Sequence, residues 1–200
     1  MDERIIVAGS GGQGVLTLGI FLSKIGSLEG RNVSWLPTYG AEKRGGFSFC
    51  YVCVSDGVIY SPLFDSPTAL IAFDQRAYET YRLKINDKTA FIENSSLVTG
   101  QKDPGRKFSI PASKLSNDIG FMRGLNIMLA GALIEASGIF KHDSSYEVME
   151  QMLQGKSREI VEKNFMAYGV GVKYVKDRAV FADINEGINS VKDMFSRWLK

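Results

Sequence analysis

The chain has 200 residues, 44% of them apolar and 23% charged. That suits one medium-sized folded domain and excludes a disordered chain. The net charge is only +2, without the concentrated basic face of a nucleic-acid binder. No apolar run approaches the ~20 residues of a membrane span. Met1-Asp2-Glu3-Arg4 has neither a signal-peptide layout nor a myristoylation signal. A cytoplasmic protein with no nucleic-acid or membrane partner is expected.

From the N-terminus, Ile5-Ile6-Val7-Ala8 predict a strand over residues 4–8. Val15, Leu18, Phe21, Leu22, Ile25 and Leu28 recur at spacings of three and four, predicting a helix over 13–29 that Gly30 ends. Residues 32–36 predict a second strand. Strand, loop, helix and strand in this order predict two parallel neighbours. Residues 47–54 and 58–60 flank Ser55-Asp56-Gly57, and Asp-Gly between apolar runs predicts an inserted antiparallel hairpin. Residues 69–74, ALIAFD, read as a strand buried on both faces. Residues 75–83 predict a helix, and 89–95 and 107–110 two further strands. Residues 100–107 read as a surface loop.

Residues 123–137 are apolar nearly all round, as in a buried helix, with Gly131 permitting close packing. Residues 144–153 and 157–175 predict two more helices. In 184–199, Ile184, Ile188, Val191, Phe195 and Trp198 stand at helical spacing. That helix either docks on its own domain or is offered to a partner. The order of elements gives an α/β fold, a Rossmann-like three-layer sandwich with a mostly parallel sheet and an inserted antiparallel β-hairpin. With no linker or internal repeat, residues 1–176 are read as the domain and 177–200 as its helical extension.

Cys50 and Cys53 have C-x-x-C spacing but sit in a predicted strand, where residues three apart face opposite sides. They are expected to be reduced and structural, with no metal site. An iron–sulfur cluster needs about four thiolates, which two cysteines do not supply. The single histidine, His142, lies in the polar stretch Lys141-His142-Asp143-Ser144-Ser145 and reads as a surface helix cap.

Gly9, Ser10, Gly11, Gly12, Gln13 and Gly14 follow the first strand and open the first helix. The glycines allow tight turning and close approach, and the helix N-terminus presents free N–H groups to an anion. A dinucleotide site would place an acidic residue at the end of the second strand. Here Trp35-Leu36-Pro37-Thr38-Tyr39 occupies that place. A second loop, Thr38, Tyr39, Gly40, Ala41, Glu42, Lys43, Arg44, Gly45 and Gly46, should converge on the first at the carboxyl ends of the strands. Arg44 offers a bidentate fork and Lys43 a mobile charge to an anion. Glu42 either orients Arg44 or merely locks the loop.

GSGGQG, PTYGAEKRGG and VSDGVIYSP together resemble the gamma subunit of 2-oxoacid:ferredoxin oxidoreductases, from residue 4 to about residue 175. The wording YGAEKRGG is closer to 2-oxoglutarate and branched-chain members than to the indolepyruvate branch, whose beta subunit carries a similar pair of loops. The resemblance implies that residues 1–176 form the gamma-type domain. It also implies a reaction, a 2-oxoacid (2-oxoglutarate first) plus coenzyme A giving acyl-CoA, carbon dioxide and reduced ferredoxin. Thiamine diphosphate, Mg2+ and iron–sulfur clusters are then expected on alpha and beta partner subunits, with a ferredoxin-like delta subunit in four-subunit members. No catalytic residue is expected on this chain, which would supply a coenzyme A crevice or a subunit interface. In isolation it could self-associate through a surface meant for a partner. Two other classes stay open: a stand-alone nucleotide- or coenzyme A-binding module, and an NAD-dependent dehydrogenase.

Overall fold

The computed structural model describes residues 2–39, 46–100, 103–177 and 184–198. Its strands are β1 (Asp2–Ser10), β2 (Asn32–Tyr39), β3 (Phe47–Ser55), β4 (Ala69–Ala72), β5 (Ala90–Asn94) and β6 (Arg106–Ile110). They form one sheet in the order β2-β3-β1-β4-β5-β6. β3 pairs antiparallel with both β1 and β2, whereas β1–β4, β4–β5 and β5–β6 are parallel. β3 therefore runs against all the others.

β1 has neighbours on both edges and layers on both faces. Ile5 and Val7 join the core on one face, Ile6 and Ala8 the core on the other, as the period of two requires. The first face carries α1 (Val15–Leu28), α3 (Ala112–Asp118), α4 (Leu125–Ser137), α5 (His142–Met152) and α6 (Arg158–Lys176). The second carries α2 (Gln75–Tyr81), against an aromatic layer of Phe47, Phe49, Tyr51 and Tyr81. This is the three-layer α/β sandwich expected. α7 (Ile184–Trp198) packs on α6 and buries Ile188 and Val191, so it docks on its own domain.

α4 and α6 touch backbone to backbone. A Cβ on Gly131 would run into the Tyr168 carbonyl oxygen, and one on Gly171 into the Met128 carbonyl oxygen. Gly131 thus has the close-packing role expected of it, with a reciprocal partner on the facing helix.

Three expectations need correction. β1 and β2 are parallel but not neighbours, because β3 lies between them. The antiparallel pair is β2–β3, and residues 58–60 form no strand. The reason is the sheet itself: both edges of β3 are taken by β1 and β2, so nothing remains for residues 58–60 to pair with. Ser55 Oγ accepts the Gly57 N–H, and the chain leaves the sheet there, with Val58 and Tyr60 exposed. β2, an edge strand, tolerates Pro37 opposite Cys50 because one side of it needs no N–H.

His142 is the third correction. It opens α5, but its ring is not a free surface cap. Nδ1 lies 2.8 Å from the Tyr168 hydroxyl and Nε2 3.0 Å from Glu135 Oε2. It ties α5 to α6 and α4.

Cys50 is fully buried in the main core, and Cys53, on the opposite side of β3, is near the Ser61 and Pro62 carbonyls. Burial pushes the Cys50 thiol up to about 12 and raises that of Cys53. The thiolate is the reactive form. The native protein at pH 8 should therefore release less than one equivalent from a disulfide reagent within minutes, and two after denaturation. Rapid titration of both thiols in the native state would contradict this placement.

Candidate functional site

Ser10 ends β1, and the chain turns into α1 through two glycines with left-handed backbone, Gly12 at φ +93 and Gly14 at φ +84. Side chains rarely adopt that region. Gln13 ties the turn together: its Oε1 accepts the Ser10 N–H at 2.7 Å, and its own N–H donates to the Ser10 carbonyl at 3.2 Å. Ser10 Oγ donates to Asp74 Oδ2 at 2.6 Å. Asp74 follows β4 and caps α2, its Oδ1 accepting the Ala77 N–H at 3.0 Å. One carboxylate thus holds the glycine loop to the next strand.

α1 starts with the Leu18 N–H on the Gly14 carbonyl at 2.9 Å, no side chain caps it, and its first turn holds no acid. The N–H groups of Val15, Leu16 and Thr17 have no helix carbonyl to donate to. They carry the positive end of the helix dipole. Gly11, Gly12 and Thr17 are exposed beside them. An anion is what this arrangement attracts.

The second loop reaches the same place. The Gly11 N–H donates to the Gly46 carbonyl at 2.8 Å, so the end of the second loop is hydrogen-bonded to the first. Thr38 and Tyr39 are the last residues of β2, at the same end of the sheet. Gly40, Ala41, Glu42, Lys43, Arg44 and Gly45 lie outside the described residues, and with them the Glu42–Arg44 pairing.

Two residues of this end of the sheet were missed by the sequence reading. Asp74 clamps Ser10, and Arg76 stacks its guanidinium over the Phe47 ring, 5.0 Å from the centroid. Phe47 is paired with Ser10 across β1 and β3, so Arg76 stands at the same end of the sheet, on the α2 face. The signal was present: Asp74-Gln75-Arg76 follows ALIAF at the carboxyl end of a parallel strand, where ligands of open α/β sheets bind. Among the described residues no cluster of His, Cys, Asp or Glu could hold a metal ion, and no helix is long and apolar enough to cross a membrane.

The sequence matches the family described as pyruvate ferredoxin/flavodoxin oxidoreductase over residues 4–174. The ketoisovalerate oxidoreductase subunit VorA of Methanothermobacter thermautotrophicus is 30% identical over 178 residues, 88% of this chain and 37% of that one. The 2-oxoglutarate synthase subunit KorC of Archaeoglobus fulgidus is 31% identical over 179 residues, 90% of this chain and 93% of that one. Among solved structures, the 2-oxoglutarate:ferredoxin oxidoreductase of Magnetococcus marinus, with 2-oxoglutarate, coenzyme A and succinyl-CoA bound, superposes with a TM-score of 0.80 at 27% identity, covering 88% of this chain and 31% of that one. The gamma subunit of a keto/oxoacid ferredoxin oxidoreductase from Geobacter sulfurreducens gives 0.74 at 25% identity, covering 87% of this chain and 98% of that one. The chain thus spans about a third of the length of the first and third of these proteins. It matches the other two almost end to end.

Proposed function

The chain belongs to the pyruvate ferredoxin/flavodoxin oxidoreductase family, and on that premise we propose that it is a gamma-type subunit of a heteromeric 2-oxoacid:ferredoxin oxidoreductase. The assembled enzyme would convert a 2-oxoacid and coenzyme A to acyl-CoA and carbon dioxide, with reduction of ferredoxin. The end-to-end match to a separate subunit of similar length carries this reading. We assign 2-oxoglutarate as the substrate to test first, since that relative is a 2-oxoglutarate synthase subunit.

Thiamine diphosphate, Mg2+ and the iron–sulfur clusters are assigned to alpha and beta partners, with a ferredoxin-like delta subunit as a further partner. Two cysteines in the whole chain fall short of the roughly four thiolates a cluster takes.

The glycine loops are assigned to coenzyme A. Its diphosphate and 3′-phosphate match the free N–H groups of Val15, Leu16 and Thr17 and the cations Lys43, Arg44 and Arg76. The thiol of coenzyme A supplies the acceptor for the acyl group. This chain's residues bind and orient; none is assigned a proton or acyl transfer. The absence of an acid at the end of β2 supports coenzyme A over a nicotinamide dinucleotide.

Co-purification tests the assembly. The tagged chain, isolated from its native cells, should bring down subunits that bind thiamine diphosphate, and the complex should reduce ferredoxin with 2-oxoglutarate only when coenzyme A is present. Recovery of the chain without any thiamine-binding subunit would end this reading.

A further inference from the structure

A cavity of about 330 Å³ opens beside the first turn of α1, walled by α1, α4, α5, α6 and the short turn before α4. Its base is apolar, with Phe21, Phe121, Met149 and Met152 among the lining side chains. The volume is at the small end of the range for ligand pockets, about 300–1,000 Å³. Methionines let such a base adapt to the shape of an occupant.

The polar part of the lining is one-sided in charge. Arg123 is the one charged residue among the described residues that line the cavity. It is exposed, and no acid or carbonyl among the described residues pairs with it. Gly124 and Leu125 follow it directly, and the Leu125 N–H is taken by the Met122 carbonyl, so Arg123 is the one charged donor at this wall among the described residues. Asn126, 7% exposed, lines the same wall, with its Nδ2 3.4 Å from the Gly14 carbonyl and its Oδ1 accepting the Ile127 N–H. An unopposed cation at the rim of an apolar hollow selects an occupant with an anionic head and an apolar body.

We propose that this cavity binds a small carboxylate with a short aliphatic or single-ring body. The carboxylate sits on Arg123, and the body lies between Phe21, Phe121, Met149 and Met152. This cavity adjoins the glycine crevice, since Gly14 and Thr17 at the start of α1 line both.

The test follows the methyl resonances of the full chain labelled with 13C at methionine methyls, titrated with octanoate, octanol and acetate. Octanoate should shift Met149 and Met152 saturably. Octanol, with the body but no charge, and acetate, with the charge but no body, should each bind at least about tenfold more weakly. Arg123→Gln should weaken octanoate about ten- to a hundredfold and leave octanol unchanged. The unshifted remaining methionine methyls report that this variant is folded. Equal binding of octanol and octanoate, equal binding of acetate and octanoate, unmoved Met149 and Met152 methyls, or octanoate binding that survives Arg123→Gln would each overturn the proposal.

Discussion

Gly171→Ala should destabilise the protein by about 2–4 kcal/mol, although alanine is the better helix former by about 1 kcal/mol. The two effects have opposite signs, so the direction of the result decides between them. Gly171 lies within α6, where the added methyl would meet the Met128 carbonyl oxygen of α4. A backbone carbonyl inside a helix cannot swing aside as a side-chain end can. α6 would have to move away from α4, opening the contact that Gly131 makes with the Tyr168 carbonyl. The surrounding side chains, Met128 and Tyr168 among them, are fully buried, so the separation leaves gaps that water does not fill favourably. For a chain of this size the loss corresponds to a fall in Tm of roughly 5–15 °C. Urea denaturation should show a lower midpoint with an unchanged slope. A Tm equal to or above that of the parent would mean that the helices are not in backbone contact.

The same contact shows what a sequence can disclose. α1 and β4 were legible because each has one dominant pattern: apolar residues at three and four in α1, an unbroken apolar run in β4. Gly131 was legible because a glycine inside an otherwise apolar helix has few reasons to be there. Gly171 lies in a helix whose other face is polar, and only the facing helix explains it. The order of the sheet was not legible. Nothing local to residues 47–54 says that they slot between β1 and β2, because the choice rests on pairings to residues up to about fifty positions away. The Asp-Gly at residues 56–57 is a good turn signal, yet it turns the chain out of the sheet and not back along it.

The site divides in the same way. The glycine loop was readable, since its residue types and its place between strand and helix state its conformation. Asp74 was not, because its bond to Ser10 joins residues 64 apart. His142 misled for a similar reason. Its polar neighbours in sequence suggest a surface cap, while its actual partners, Tyr168 and Glu135, come from α6 and α4.

The central claim is that the two glycine loops form a coenzyme A site on a subunit whose redox centres lie elsewhere. Its physical support is the hydrogen bond from Gly11 to Gly46 and the uncapped start of α1, with Arg76 at the same end of the sheet. Asp74 bears on the claim from the other side. It puts a negative charge near the loop, but both of its oxygens are engaged, one with Ser10 and one with Ala77. It clamps the glycine loop to the start of α2.

The most direct measurement is the KM for coenzyme A of the assembled complex carrying Arg44→Ala, with Gly12→Ala as a second variant. Among the described residues, a methyl on Gly12 meets no atom beyond its chain neighbours within 4 Å, so its main cost there is backbone strain at φ +93. Removing one charged contact to a phosphate is worth about 1.5–3 kcal/mol. The account predicts a KM for coenzyme A raised roughly ten- to a hundredfold, with the KM for 2-oxoglutarate and the subunit composition unchanged. An unchanged KM for coenzyme A, together with impaired assembly of the complex, would contradict it and make the second loop a contact for a partner subunit.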